Sequence, residues 1–160
     1  MKTLSIIVSL LFVTQFSMAQ QNSLQQDSNR QLIKEGFEKW ANGSGSFFDL
    51  LAEDVHWTIS GSSYLSKTYT SKKQLIDEVL NPLNDRLSQK IIPTIREIFV
   101  DNNTVIAIWD GKATALDGKP YNVSYAWFME IQHGKIVKVT AFLDTLDLEE
   151  IFKRVKVAKK

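Results

Sequence analysis

The sequence contains no cysteine, which excludes disulfides, thiol nucleophiles and thiolate metal sites. It has only two histidines. His56 falls in an apolar alternation and His133 in a turn, neither with a second ligand in view, so no metal site is expected. An excess of one charge is also missing. The 19 basic residues nearly balance 18 acidic ones, and such a surface carries no nucleic-acid footprint. No glycine-rich loop precedes a helix, and Ser60-Gly-Ser-Ser63 lacks the strand-to-helix pattern of a nucleophile elbow. No phosphate-bearing or other cofactor is therefore expected.

Long apolar runs are scarce too. The stretch Leu4–Phe16 falls short of the roughly 20 residues that span a bilayer. It follows Lys2 and ends in Ser17-Met18-Ala19, the order of a secretory signal cleaved after a small residue. Residues 1–19 are thus expected to be a signal peptide. The mature form would be exported, periplasmic or secreted, with no membrane span. The polar stretch 20–27 reads as a flexible leader, 28–155 as one domain with its own core, and 156–160 as a basic tail.

What is present is a sequence of helical and then strand-like patterns. Ser28 and Gln31 form a capping box ahead of Leu32, Ile33, Phe37 and Trp40, predicting a helix over 28–42 that stops at Asn42-Gly43. Ser46 opens a short second helix through Leu51, and Ser71 with Gln74 opens a third, kinked at Asn81-Pro82. Between them Val55–Ile59 alternates as a strand. From Lys90 the turn signals Asn102-Asn103, Asp117-Gly118 and His133-Gly134 cut the chain into four long strands of an antiparallel meander. Asp147 with Glu150 predicts a short C-terminal helix. The expected class is α+β: three N-terminal helices packed in a curved, mainly antiparallel sheet, with a conical cavity at one open end.

Alternation assigns faces. Val123, Tyr125, Trp127, Met129 and Ile131 share one side of their strand, and Val137, Val139, Ala141 and Leu143 share one side of the next. Both sets read as core. The run Ile106-Ala-Ile-Trp-Asp110 is apolar on both sides and has two readings. If Ile106 and Ile108 point inward, so does Asp110, a carboxylate among aromatics fit for proton transfer. If Trp109 points inward, Asp110 is a solvent-facing or paired surface acid.

Three stretches carry a family likeness: Glu53–Gly61, Asp117–Asn122 followed by Tyr125, and Gly134–Thr145. Together they resemble the SnoaL-like branch of the nuclear transport factor 2-like superfamily, which includes ketosteroid isomerases, polyketide cyclases and limonene epoxide hydrolases. The resemblance implies a cone-shaped barrel, often dimeric through its outer sheet face. It implies a pocket lined by Trp57, Ile59, Ile108, Val123, Trp127, Val139, Ala141 and Leu143, with Tyr64 over the mouth. Asp110 and Tyr125 are its candidate catalytic pair. The chain departs from the epoxide hydrolase pattern, with Ile108 where that pattern has arginine and Ala141 where it has a second acid. The first helix has Gly36 and Phe37 where the isomerases carry a tyrosine.

Two functions follow as expectations. One is a pocket for a small apolar molecule, with or without simple acid–base chemistry of an isomerase or cyclase kind. The other is an interaction module whose cavity is filled by Trp57, Tyr125 and Trp127, and which dimerises or binds a partner through exposed rings: Phe128, Phe142 and, where it faces outward, Trp109.

Overall fold

The computed structural model describes the backbone of residues 2–157 and the side chains of residues 20–157. The chain opens with one long helix, α1 (Lys2–Ala41), followed by a 3₁₀ turn at Phe47–Leu50 and strand β1 (Leu51–Ile59). A short β2 (Thr68–Tyr69) precedes a segmented helix: α2 (Lys72–Leu75), a π turn at Ile76–Leu80, and α3 (Asn81–Asn84). Four long strands follow, β3 (Leu87–Asp101), β4 (Thr104–Ala115), β5 (Pro120–Gln132) and β6 (Lys135–Leu143), and α4 (Thr145–Arg154) ends the fold.

The six strands form one curled open sheet in the order β2-β1-β6-β5-β4-β3. β1 and β6 run parallel, and the other neighbours are antiparallel. The hairpin turns fall where the polar pairs predict them. Asn102 and His133 adopt φ of 52° and 50°, and Gly118 and Gly134 adopt 80° and 72°, the backbone that tight turns between twisted strands require.

Three helical expectations are corrected. Ser28 does not begin a helix, because α1 runs unbroken through it and through the expected leader at 20–27. The second helix is a single 3₁₀ turn, capped by Ser46, whose side chain accepts from Phe48 N while Asp49 accepts from Ser46 N. The architecture therefore has one long N-terminal helix rather than three helices of similar kind. The expected signal segment, 1–19, lies outside the residues whose side chains are described.

α4 starts one turn earlier than its sequence signal. Asp144 caps it, accepting from Leu146 N at 2.9 Å and Asp147 N at 3.3 Å, so a short acid next to the strand end outcompetes the Asp147–Glu150 pattern.

α1 is fastened to the β3–β4 end of the sheet by polar contacts. Asn22 donates to the Asn102 side chain at 3.0 Å, and Arg30 reaches the Ile98 carbonyl at 2.5 Å. Its apolar face, through Ile33 and Phe37, is buried against Phe47 and the sheet. Burying each such side chain contributes about 1.5–3 kcal/mol. A register shift in the β5–β6 pairing turns Ile136 inward and leaves Val137 half-buried. Strict alternation from Val139 back to Val137 fails there because a bulge inserts one extra residue.

Candidate functional site

The inner face of the sheet meets the helices over a cavity of about 270 Å³. All four tryptophans of the sequence, Trp40, Trp57, Trp109 and Trp127, stand in its wall. Trp40 comes from α1 and Phe48 from the 3₁₀ turn. Leu75, Val79, Leu80 and Leu83 come from the segmented helix, and Leu148 from α4. The π turn belongs to this wall, placing Val79 and Leu80 side by side over the sheet.

The floor is built on cross-strand pairs. Trp109 of β4 lies directly opposite Tyr125 of β5, and the two rings stack at 3.9 Å with 6° between planes. Trp127 meets Trp109 edge-on at 4.7 Å and Trp57 at 4.9 Å. Such offset and edge-to-face contacts each add about 0.5–1.5 kcal/mol beyond area burial. Gly111 makes room for the stack: a Cβ there would sit 3.0 Å from Ile91 Cγ2 and 3.1 Å from the rings of Trp109 and Tyr125. Trp109 Nε1 is buried without an oxygen or nitrogen partner. The rings of Phe37, Trp40 and Trp127 surround that indole at steep angles, where only weak N–H···π attraction is on offer.

The polar complement is small. The Tyr121 and Tyr125 hydroxyls face each other at 3.4 Å, and both residues line the cavity. Burial pushes the Tyr121 phenol up to about 12, and burial first, then the charge and hydrogen bond of Tyr121, push Tyr125 well above its usual range. Both stay protonated at neutral pH and act as neutral hydrogen-bond donors. Asn84 and Ser46 add further polar groups, and Lys90 is the one charged side chain among the described residues of the wall. No aspartate, glutamate or histidine lines it among those residues, and they contain no cluster of three or more metal-ligating side chains.

The structure sorts the sequence candidates into three groups. Trp57, Ile59, Tyr125, Trp127, Ala141 and Leu143 line the cavity together. Val123 and Val139 point the same way but are packed into the core at 4% and 0% exposure, behind the wall. Tyr64, Ile108 and Asp110 lie elsewhere. Tyr64 is 60% exposed on the β1–β2 connection, with its ring 6.4 Å from Phe152 of α4.

Asp110 and Ile108 require a correction. Trp109 is 1% exposed, and since neighbours on a strand point oppositely, Asp110 and Ile108 occupy the outer face. There the Ser124 hydroxyl donates to Asp110 Oδ1 at 2.6 Å and Arg96 stands 3.5 Å away. Turning Ile106 and Ile108 inward would carry the Asp110 carboxylate in with them, and a carboxylate is costly to bury and costs nothing to leave in water. The Ser124 hydroxyl, and then the Arg96 charge, hold the Asp110 carboxyl below its ordinary 3.8. It is an ionised surface acid, the opposite of a base poised by burial.

This pairing sets a pH dependence. A folded-state pKa below the unfolded value contributes stability that is complete above the unfolded value and fades as pH falls through the folded one. Asp110→Asn is therefore expected to lower the urea midpoint modestly at pH 7, with the gap to wild type closing below about pH 3.8. A gap that widened in acid would contradict the assignment.

Sequence reading missed Trp40, Phe48 and Tyr121 as wall residues. Tyr121 was within reach, since it continues the alternation of Val123, Tyr125 and Trp127 by one step. Lys90 and Asn84 carried no signal, because their position depends on how β3 and α3 pack at the open end.

Comparison with known proteins agrees with this architecture. A family model described as SnoaL-like domain matches residues 33–139. No curated protein matches the sequence. Among solved structures, an NTF2-like protein of unknown function from Burkholderia pseudomallei is 17% identical, with 81% of this chain and 98% of that chain covered and a TM-score of 0.63. Bal32a, from a soil-derived mobile gene cassette, is 14% identical over 82% of this chain and 99% of its own, with a TM-score of 0.65. TerC, co-crystallized with polyporic acid, is 18% identical over 78% of this chain and 98% of its own, with a TM-score of 0.63. At these identities the structural likeness is one of fold. The family match spans most of the folded region, from α1 into β6, and on it the chain belongs to the SnoaL-like domain family.

Proposed function

We propose that the protein binds a small, largely apolar molecule in its aromatic-walled cavity. The observation that carries this is a cavity of about 270 Å³, walled by four tryptophans and crossed by a single pair of protonated tyrosines. Ligand sites combine such apolar walls with a few placed polar groups. The ligand of the TerC crystal structure, polyporic acid, is in keeping with this reading.

Turnover is not part of the proposal. A general base has to come within about 3 Å of the proton it removes, and Asp110 lies across the sheet from the cavity. The tyrosines can donate a hydrogen bond to a developing oxyanion but have no base beside them in the wall. Calorimetric titration of the full chain with two-ring aromatic compounds tests the proposal. Saturable one-to-one binding that is unchanged in Asp110→Asn supports it. Binding lost in Asp110→Asn would return the acid to the site.

A second reading concerns the outer sheet face. Phe99, Phe128 and Phe142 are 51%, 40% and 46% exposed there, with Phe128 and Phe142 in edge-to-face contact at 5.7 Å. Ile106 and Ile108 fill the same face between them. Contiguous apolar surface of this kind marks an interface, and we read it as the contact between two copies. Phe128→Glu is expected to shift a dimer to monomer in sedimentation equilibrium. A wild-type chain that is monomeric at high concentration would refute this.

Export is part of the same proposal. It rests on the order of a charged start, an apolar run and a small-residue ending over residues 1–19. The mass of the chain recovered from an exported fraction tests it.

A further inference from the structure

We propose that the molecule held in the cavity is an aromatic acid, its ring system against the tryptophans and its carboxylate or acidic hydroxyl at the Lys90 end. This rests on the binding reading above and adds the ligand's chemical class.

The strand register places the polar groups together. Gln89 pairs with Thr114 and Ile92 with Lys112, so Lys90 and Ile91 both lie opposite Ala113 across a bulge. Ala113 in turn pairs with Tyr121. Lys90 and Tyr121 are thus on one line across β3, β4 and β5, and the Tyr125 hydroxyl is 3.4 Å from that of Tyr121. All three line the cavity. The tryptophans lie further along the same wall, through Trp109 opposite Tyr125 and Trp127 one step beyond.

The charges of this end favour an anion. Lys90 is a cation in the wall, and none of the described ion pairs involves it. No acid shares the wall with it among the described residues. Asp144 and Asp147 of α4 raise the tyrosine pKa values from a distance. Both are exposed, as Lys90 is, so solvent and salt screen all three; of the three only Lys90 borders the space itself. An ammonium and the one phenolic O–H left free by the Tyr121–Tyr125 hydrogen bond offer charge-compatible donors to an acidic ligand, and bonds to an ionised acceptor are the stronger kind. A cationic ligand would meet no counter-charge in the wall.

The test uses two probes that differ by one charge, 2-naphthoate and methyl 2-naphthoate, titrated calorimetrically into the full chain. The acid is expected to bind at least tenfold more tightly than the ester, with the difference shrinking as salt is raised. Lys90→Met is expected to remove most of that difference by weakening the acid and leaving the ester unchanged. Tyr121→Phe weakens both probes, since both carry a carbonyl acceptor. Equal binding of acid and ester, or a Lys90→Met variant that treats both as wild type does, would overturn the inference while leaving the cavity as a binding site. Failure of both probes to bind would overturn the binding reading itself.

Discussion

Trp109→Ala is expected to cost about 3–5 kcal/mol of folding stability, the range for deleting a large buried aromatic. Trp109 is 1% exposed. Its removal would take away the stack on Tyr125 and the edge contacts to Trp127, Trp40 and Phe37 at once. The cavity beside it limits how far neighbours can collapse inward, because the void created joins a space already empty. Equilibrium urea denaturation followed by fluorescence of the remaining tryptophans measures the loss. The adjacent position supplies the control, since Asp110→Ala touches only surface partners and is expected to lose far less. Comparable losses at the two positions would mean that the inward and outward assignments on β4 are wrong.

Leu143→Trp is expected to weaken ligand binding at least tenfold while leaving the fold intact. Leu143 lines the cavity at the end of β6, opposite Tyr125, and is half-buried. Added bulk there has room to enter the cavity without displacing the core, so the stability change should stay below about 1.5 kcal/mol, under the usual range for overpacking. A ring placed in the space excludes another ring, and affinity for two-ring aromatics should fall at least tenfold, equivalent to about 1.4 kcal/mol. Calorimetric titration, with thermal denaturation as the folding control, reads both effects. Retained affinity in a folded variant would place the binding site elsewhere.

The outcome on β4 explains how far the sequence could be read. In β5 the alternation is sharp, because every second residue from Tyr121 to Ile131 is apolar and buried while Asn122, Ser124 and Glu130 face out. One buried face suffices to fix it. In β4 both faces are apolar, since the outer one carries the half-buried Ile106 and Ile108. The pattern there is degenerate, and only the packing of Trp109 against α1 and β5 breaks it. The family likeness could supply the cone and the wall positions on β1, β5 and β6. It could not supply Lys90, whose place on the wall depends on a bulge in β3. Bulges shift register without a reliable local signal, and the same limit hid the inward turn of Ile136 in β6. Helix boundaries failed for another reason. Ser28-Asn-Arg-Gln31 fits a cap, but a preceding stretch without proline or glycine continues the helix at no steric cost.

The central claim is that the inner cavity, not the Asp110 face, receives the ligand. The most direct measurement follows the four indole N–H resonances and the backbone amides of the ¹⁵N-labelled full chain by NMR during addition of 2-naphthoate. Trp40, Trp57, Trp109 and Trp127 all border the cavity, so all four indole signals are expected to shift and saturate together, with Ser124 and Phe128 on the outer face unaffected. Shifts confined to the outer-face amides, with the indole signals unmoved, would contradict the account.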